Sequence, residues 1–336
     1  MTTVVTGASG FIGSVLVREL LSRGRSVRAV VHSSRRALRG LEVELVEADV
    51  RDPVSLRAAF TGAESVFHLA AVISLAGDLG GRVTDTNIRG AEHAARAALE
   101  AGVERYVHCS SIHAFDLTDG RSVIDETTPR VGATHPVYDR SKALGEARVR
   151  SAIAEGLPAV VVHPTAVLGP GDHGPSRTGR VLLDLATRRI PALLPGGFDW
   201  VDVRDVCAGA LAAEQHGRVG ESYLLSGEWH PARELATFAA EVTGVAPPRY
   251  DVPMWLARGL APIADGWGRL THTEPRLSSE ALAALRAART VSSAKAAREL
   301  GYTARSIRES VHDAYRWFDA VGMLRTSRRR SDGARA

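Results

Sequence analysis

The sequence predicts an α/β protein, a doubly wound parallel sheet followed by a smaller, mostly helical C-terminal unit. Three observations support this fold class. Short β-branched runs alternate with segments of helical period over the first half of the chain. The first run, Thr2–Thr6, passes directly into a glycine-rich turn and a helix, and beyond about residue 226 the pattern is helical. With 336 residues, 45% of them hydrophobic and 24% charged, the chain is long enough to bury a large core.

The glycine-rich turn is the first candidate binding site. It follows a buried strand and opens a helix, whose first amides lack intrahelical partners and carry partial positive charge. Because glycine has no Cβ, a pyrophosphate can approach such a turn closely. The alternative is an ordinary glycine-rich turn between a strand and a helix. The residues predicted to contact a dinucleotide here are Gly7, Ser9, Gly10, Phe11, Ile12 and Gly13.

The second strand, Ser26–Val31, ends in a polar loop that bears on the choice of cofactor. In dinucleotide folds a carboxylate at this point accepts hydrogen bonds from the 2′-hydroxyl of NAD, whereas arginine neutralises the 2′-phosphate of NADP. Here the loop contains His32, Arg35 and Arg36, and no carboxylate occurs before Glu42. We therefore expect NADP(H) to be preferred, with NAD(H) as the second cofactor. The alternative is that both arginines face solvent.

The carboxyl ends of the next strands supply further candidates, because ligands bind outside that edge of a doubly wound sheet. These strands are predicted at residues 42–46, 65–69, 105–109 and 157–163. Ser111 follows the strand at 105–109 and is the candidate hydroxyl for chemistry, with Ser110 as a strand-end residue. A helix predicted over residues 85–102 carries Asn87 in its first turn, where an asparagine is more often a cap or a buried structural amide.

Tyr138 and Lys142 form the strongest local motif. They open a helix predicted to run to about Glu155, and a spacing of four places the phenol and the ammonium on one helical face. A phenol has an ordinary pKa near 10, and a nearby ammonium is expected to lower that pKa by favouring the phenolate. Lys142 can also reach a nicotinamide ribose. Alone, the pair could equally be an exposed helical pair.

The glycine spacing, the His-x-Ala-Ala sequence at residues 68–71 and the Tyr-x-x-x-Lys pair together resemble the extended short-chain dehydrogenase/reductases, the NAD-dependent epimerase/dehydratase family. The closest pattern is that of the dihydroflavonol 4-reductase-like subfamily. The resemblance implies a Rossmann domain of residues 1–165 plus about 199–226, and a substrate-binding cap of residues 166–198 and 227–322. It also implies an NAD(P) cofactor, catalytic roles for Ser111, Tyr138 and Lys142, and Asn87 as the anchor of a water near the lysine.

The resemblance implies further cofactor contacts along the edge of the sheet. Asp49 is expected near the adenine amino group, and small residues after the fourth strand allow the middle of the cofactor to pass. The remaining predicted cofactor contacts are His32, Val50, Leu69, Ala70, Ala71, His163, Pro164 and Thr165.

Departures from the sugar-nucleotide members of the family direct the choice of substrate. Those members usually carry an arginine and an asparagine after the sixth strand, where this chain has His163 and Ala166. Phe198 stands where they commonly have an arginine for the substrate diphosphate. Ile112-His113 replaces the Asp-Glu pair of sugar dehydratases, which excludes dehydration through that pair. We therefore expect NAD(P)H-dependent reduction of a largely apolar ketone or aldehyde, or the reverse alcohol dehydrogenation.

Two other functions stay open at this point. A sugar epimerase, or an enzyme like 3β-hydroxysteroid dehydrogenase/isomerase, would use the same groups. A cofactor-sensing regulator without catalysis would typically lack the Tyr/Lys pair. Core packing is the alternative role for most of the apolar residues predicted near the substrate. The predicted substrate contacts are Leu75, Ser111, Ile112, His113, Val167, Leu168 and Trp200, and His173 is a further polar candidate.

Charge and composition limit the partners. The formal charge of +4 arises from residues 325–336, which hold five arginines and one aspartate and are expected to form a basic disordered tail. We expect a small-molecule substrate, no nucleic acid and no membrane, and a monomer or homodimer in the cytoplasm. Cys109 and Cys207 suggest neither a disulfide framework nor a metal site.

Overall fold

The central element is a parallel sheet. The computed structural model describes residues 2–74, 77–118, 122–259, 261–262, 282 and 290–324. The strands of the sheet are β1 (Thr2–Thr6), β2 (Ser26–Val31), β3 (Glu44–Glu47), β4 (Ser65–His68), β5 (Arg105–Cys109), β6 (Ala159–Pro164) and β10 (Ser222–Leu225). They form one seven-stranded sheet in the order β10-β6-β5-β4-β1-β2-β3, with every neighbouring pair parallel. This sheet confirms the predicted α/β fold class.

Helices cover both faces of the sheet, which explains why its inner strands are largely apolar runs without alternation, whereas the edge strand β3 has a glutamate at each end and is mostly exposed. Successive side chains of a strand point to opposite faces, and Val4 and Val5 in β1 are both fully buried in different apolar clusters. One face packs against α1 (Phe11–Ser22) and α7 (Val203–His216). The other packs against α2 (Pro53–Phe60), α4 (Gly90–Glu100) and α5 (Val137–Ala154).

A second, smaller layer follows β6. Strand β9 (Gly197–Asp202) lies between β7 (Ala166–Leu168) and β11 (Glu228–Pro231), parallel to the first and antiparallel to the second. Its core includes Leu182, Phe238 and Phe318. The helices around it are α6 (Arg177–Ala186), α8 (Ala232–Thr243) and α10 (Ile307–Ala320), while α9 (Ala294–Leu300) packs with α7, and β8 (Ala192–Leu193) pairs with β12 (Tyr250–Asp251).

The helix predicted at residues 85–102 is irregular at its start. The short α3 (Arg82–Thr84) continues into a π-helical segment, Asp85–Arg89, before α4 begins. Within that segment the carbonyl oxygen of Asn87 approaches α5 so closely that a Cβ on Gly145 would overlap it. A π-helical turn is a local widening that often occurs at functional sites, and here it brings Asn87 against the helix that carries Tyr138.

Most predicted elements are confirmed. The strands β1, β2 and β5 have the predicted bounds, and the other predicted strands of the sheet differ by a few residues. The patterns do not predict α2, which has only eight residues, or α7, whose start is continuous with the apolar run of β9. Residues 199–226, predicted to belong to the Rossmann domain, divide between the two sheets. Strand β10 joins the large sheet and α7 packs against it, whereas β9 lies in the small sheet. The division into domains stays a prediction.

Some predictions fall outside the described residues. These are Leu75, the basic tail at residues 325–336 and most of residues 253–287 in the C-terminal stretch of helical pattern. No described helix combines the length and the apolar composition that a bilayer-spanning segment needs.

Candidate active site

The glycine-rich turn leaves an open anion site at the start of α1. Gly7 has a φ of +66°, and a Cβ on it would lie 2.8 Å from the backbone nitrogen of Ala70. A Cβ on Gly13 would overlap the carbonyl oxygen of Gly7, whereas a Cβ on Gly10 would meet that oxygen alone among the described atoms, at 3.1 Å. The first turn of α1 contains no acidic residue. The amides at this helix start can therefore receive a pyrophosphate, so the turn fits the predicted dinucleotide site.

Thr6 joins this turn to the end of β4. Its Oγ1 accepts hydrogen bonds from the amides of Leu69 (3.2 Å) and Ala70 (3.4 Å), and it lies 2.8 Å from Nδ1 of His68. Burial, assisted by the Lys142 charge, lowers the pKa of His68 to about 3, so the ring is neutral and Nδ1 can accept the Thr6 proton. The predicted Leu69-Ala70 segment is thus fixed against Gly7. Near it, Ser9, Phe11 and Ile12 are half-buried and Ala71 is exposed.

The loop after β2 presents its two arginines differently. Arg35 forms an exposed ion pair with Glu47 at 3.0 Å, which contributes at most about 1 kcal/mol. Arg36 is exposed, and within the described part of the chain its guanidinium forms no ion pair. Arg36 is therefore the stronger of the two candidates for contact with a 2′-phosphate, and Arg35 can exchange its partner at little cost.

Asp49 lies at the predicted adenine end but is already engaged. The hydrogen bond from Arg51 lowers the pKa of Asp49 to about 2, and Nε2 of His32 lies 3.4 Å from the same carboxylate. The neighbouring Val50 is buried, and its side chain packs so closely on Gly90 that a Cβ there would lie 2.7 Å away. The side chain of Val50 therefore serves packing, while Asp49 remains accessible at the surface.

Ser111, Tyr138 and Lys142 come together at the carboxyl end of β5. All three are buried, with 8%, 8% and 5% of their surface exposed. The Ser111 side chain acts on the Tyr138 phenol by lowering its pKa, and Ser111 Oγ accepts from the amide of His113 at 3.2 Å. Lys142 Nζ donates to the carbonyl oxygen of Cys109 at 2.9 Å. The predicted spacing on one helical face is therefore realised as a buried polar group rather than an exposed pair.

The protonation state of Tyr138 differs from the prediction. Burial raises the pKa of the phenol above its ordinary value, and the Ser111 side chain and the charge of Arg177 only partly oppose this effect. The expectation that Lys142 lowers this pKa is wrong for the structure, because the Lys142 ammonium is held by the Cys109 carbonyl, and burial lowers its own pKa. Tyr138 is therefore a neutral phenol at neutral pH, which is the form that can give a proton.

Asn87 has a structural place beside this group. Its amide oxygen accepts from the backbone nitrogen of Val72 at 2.8 Å, and its amide nitrogen donates to the Val72 oxygen and to Ser141 Oγ, each at 2.9 Å. The side chain thus uses both of its N–H groups to hold the segment after β4 against α5. Anchoring of a water by Asn87 stays an implication of the resemblance.

The residues predicted to contact substrate lie in different surroundings. The His113 ring lies edge-on to Tyr138, with 5.5 Å between ring centroids, and its Nδ1 is 3.0 Å from an Asp139 carboxylate oxygen. Leu168 and Trp200 are buried in the core of the smaller layer, and the Trp200 indole donates to the His230 carbonyl at 3.1 Å. These contacts favour packing over substrate contact for both. Ile112 packs with Phe115, Ile124 and Leu224, and Val167 is half-buried beside the main core.

Three predicted cofactor contacts lie at the end of β6. His163 is completely buried, and its Nε2 lies 2.8 Å from an oxygen of Glu146, so its side chain faces the core. Pro164 is the last residue of β6, and Thr165 follows it with 9% of its surface exposed.

The sequence does not single out two neighbours of the site. Glu146 stands at a spacing of four beyond Lys142, a signal the sequence contains, whereas nothing local in the sequence brings Arg177 near Tyr138.

Comparison with known proteins identifies the family. The profile of the NAD dependent epimerase/dehydratase family matches residues 3–226. Sterol demethylase protein B of Methylococcus capsulatus is 37% identical over 328 residues, which cover 96% of this chain and all of that protein.

Two further relatives also match along nearly their whole length. A Synechocystis protein provisionally named dihydroflavonol 4-reductase is 31% identical over 96% of each chain. A Stigmatella aurantiaca protein, named 4-hydroxy-2-methyl-3-oxo-4-farnesyl-3,4-dihydroquinoline-1-oxide ketoreductase, is 30% identical over 96% of this chain and 98% of its own. The chain is therefore a member of the NAD-dependent epimerase/dehydratase family and an NAD(P)-dependent enzyme of the oxidoreductase type.

Proposed function

We propose that this enzyme is an NADPH-dependent carbonyl reductase, or the reverse alcohol dehydrogenase, acting on a largely apolar ketone or aldehyde. The observation that carries the proposal is the buried pair of hydroxyls, Ser111 and Tyr138, beside Lys142. Both hydroxyls are buried at the carboxyl end of β5, where a substrate oxygen could receive two donors at once. Because Tyr138 is a neutral phenol there, it is prepared to act as a general acid.

The chain holds the cofactor through residues at the edge of its sheet. The glycine turn and the start of α1 would receive the pyrophosphate, Arg36 the 2′-phosphate, and Lys142 the nicotinamide ribose. When bound, the nicotinamide supplies a hydride for reduction or accepts one for oxidation. Ser111 would orient the substrate carbonyl, and Tyr138 would transfer its phenolic proton to the carbonyl oxygen as that oxygen becomes an alkoxide. Lys142 would then stabilise the phenolate until water restores its proton.

Two observations support an apolar substrate. Phe198 packs against the core of the smaller layer and lies edge-on to Trp200, with 5.2 Å between ring centroids. It stands where sugar-nucleotide enzymes commonly carry an arginine, and a desolvated diphosphate needs such cations. The names of the relatives point the same way, since they refer to a sterol, a flavonol precursor and a farnesylated ketone.

The experiment is a turnover assay with purified enzyme, NADPH and a panel of steroid, flavonoid and prenylated ketones, alongside UDP- and GDP-sugars. We expect NADPH oxidation and alcohol formation in equal amounts with one or more ketones. Conversion of a nucleotide sugar without net NADPH consumption would reject the proposal in favour of an epimerase. The family's name keeps that second function in view.

A further inference from the structure

Helix α5 carries a buried acidic residue one turn beyond Lys142. Glu146 has only 1% of its surface exposed, and Tyr138, Lys142 and Glu146 follow one another at a spacing of four, on one helical face. A carboxylate is costly to bury unless it is paired and hydrogen-bonded. The proposed reaction gives Glu146 no direct task, so its place beside the site needs another explanation.

Glu146 ties α5 to the ends of two strands and to two cations. Its Oε1 accepts from Arg130 at 2.8 Å and from Arg150 at 2.8 and 2.9 Å. Its Oε2 lies 2.8 Å from Nε2 of His163 and accepts from Ser110 Oγ at 3.4 Å. Burial by itself would raise the pKa of this carboxyl, but His163 and Arg130 lower it well below its ordinary value. Glu146 is therefore a carboxylate with four partners.

Lys142 and Glu146 hold consecutive residues of the chain. Lys142 donates to the carbonyl of Cys109, Glu146 accepts from the hydroxyl of Ser110, and Ser111 comes next. The end of β5 is thus fixed by two side chains of α5 directly before the residue that orients the substrate. The loss of either contact would let Ser111 move relative to Tyr138.

Glu146 supplies a negative charge that acts on Lys142, although the two side chains form no ion pair among the described residues. Besides Glu146, the titratable groups that act on the ammonium or feel its charge are Cys109 and His108 of β5 and His68 of β4. Burial lowers the pKa values of both imidazoles, so both rings are neutral. Glu146 is the acidic group of this set that is ionised at neutral pH, and it offsets the lowering that burial imposes on the pKa of Lys142.

We propose that Glu146 is a positioning residue for the reaction: it anchors the end of β5 to helix α5 and balances the buried charge of Lys142, so that Ser111, Tyr138 and Lys142 keep their arrangement. This role rests on the proposed reductase function. Without the carboxylate, Lys142 would keep its buried charge, and Arg130 and Arg150 would lose the acceptor that they share.

The test compares Glu146→Gln with a matched control. Glu155→Gln makes the same change at the end of the same helix, where Glu155 is exposed and pairs with Arg96. In Glu146→Gln we expect kcat to fall about 30-fold or more while KM for the ketone changes less than about threefold. We also expect the alkaline limb of the kcat profile to move to lower pH by about one unit, because Lys142 loses the negative charge that acts on it. Glu155→Gln should leave all three quantities unchanged.

Arg150→Gln gives a second test with the opposite sign. The Arg150 side chain is 41% exposed, so this variant should fold even if Glu146→Gln does not. Removing one cation leaves Glu146 less neutralised, and the alkaline limb should therefore move to higher pH. Unchanged pH profiles in both variants, or a shift to lower pH in Arg150→Gln, would overturn the role of Glu146.

A binding measurement separates this role from the reductase proposal. NADPH affinity is followed by fluorescence between pH 6 and 10 without any carbonyl compound. In Glu146→Gln the affinity should begin to fall at a pH about one unit lower than in the parent protein, because a neutral Lys142 binds the ribose less well. If no ketone is reduced but the pH dependence of NADPH affinity shifts in this way, the reductase function fails and the positioning role of Glu146 stands. An identical pH dependence in both proteins would reject the role.

Discussion

Replacing Tyr138 with phenylalanine removes one oxygen from the centre of the site. The ring remains, so the packing against His113 and the buried volume are kept. What is lost is the phenolic oxygen with its acidic proton, while Ser111 Oγ still accepts from the amide of His113. A well-placed general acid accelerates a reaction by about 10² to 10⁴, or roughly 3 to 5 kcal/mol of activation free energy, and we expect kcat to fall by that factor. Folding stability should fall by only about 1 kcal/mol.

The assay is stopped-flow NADPH oxidation with the best ketone, together with a fluorescence titration of NADPH. Tyr106→Phe is the matched control, because Tyr106 is fully buried in β5 and its hydroxyl has no hydrogen-bond partner among the described residues. That control should keep full activity and lose no stability, since it removes an unsatisfied polar group. NADPH affinity should stay within about threefold in both variants. A loss of kcat below tenfold in Tyr138→Phe, or an equal loss in the control, would refute the acid role.

Other expectations follow from the same structure. Lys142→Ala should weaken NADPH binding and lower kcat together, in contrast to Tyr138→Phe. An unchanged NADPH affinity would show that Lys142 does not contact the ribose. NADPH should bind roughly ten- to hundredfold more tightly than NADH, as one charge-assisted hydrogen bond predicts, and the Arg35→Ala/Arg36→Ala double variant should erase the difference in a titration. Equal affinities in the parent would mean that both arginines face solvent. Between pH 6.5 and about 3, unfolded His68 binds a proton that the folded ring does not, so this residue alone should lower the unfolding free energy by about 1.4 kcal/mol per pH unit on acidification, and the buried His108 and His163, whose pKa values burial also lowers, add to the fall. Urea titrations at pH 7.5 and 5 check this, and equal stabilities would contradict the neutral buried ring.

The sequence predicts the large sheet well because its strands carry local signals. Short runs rich in β-branched, aromatic or other apolar residues mark most strands of that sheet. The small sheet carries no such signal: β7 has three residues, and β9 is continuous in pattern with α7. Pairing between residues 28 to 34 positions apart decides that sheet, and no periodicity within one segment encodes it.

For the site, spacing predicts which side chains share a helical face but not what surrounds them. The Tyr138–Lys142 spacing is read directly from the sequence, whereas the raised pKa of Tyr138 depends on burial by segments far away in the chain. The same limit applies to Trp200. An indole suits a substrate pocket as well as a core, and most of the residues of its cluster come from α6, α8 and α10. For Glu146, the spacing of four predicts its position on the helical face of Lys142, whereas its hydrogen-bond partners come from other segments.

Isotope transfer tests the proposed reaction most directly. The enzyme is incubated with NADPH deuterated at the reactive position of the nicotinamide and with the ketone panel, and the products are examined by mass spectrometry. We expect an alcohol one mass unit heavier, with deuterium on the carbinol carbon, and none of it from Tyr138→Phe within the same time. Recovery of every ketone unchanged, together with epimerisation of a nucleotide sugar and no net loss of deuterium from the cofactor, would contradict the proposed carbonyl reduction.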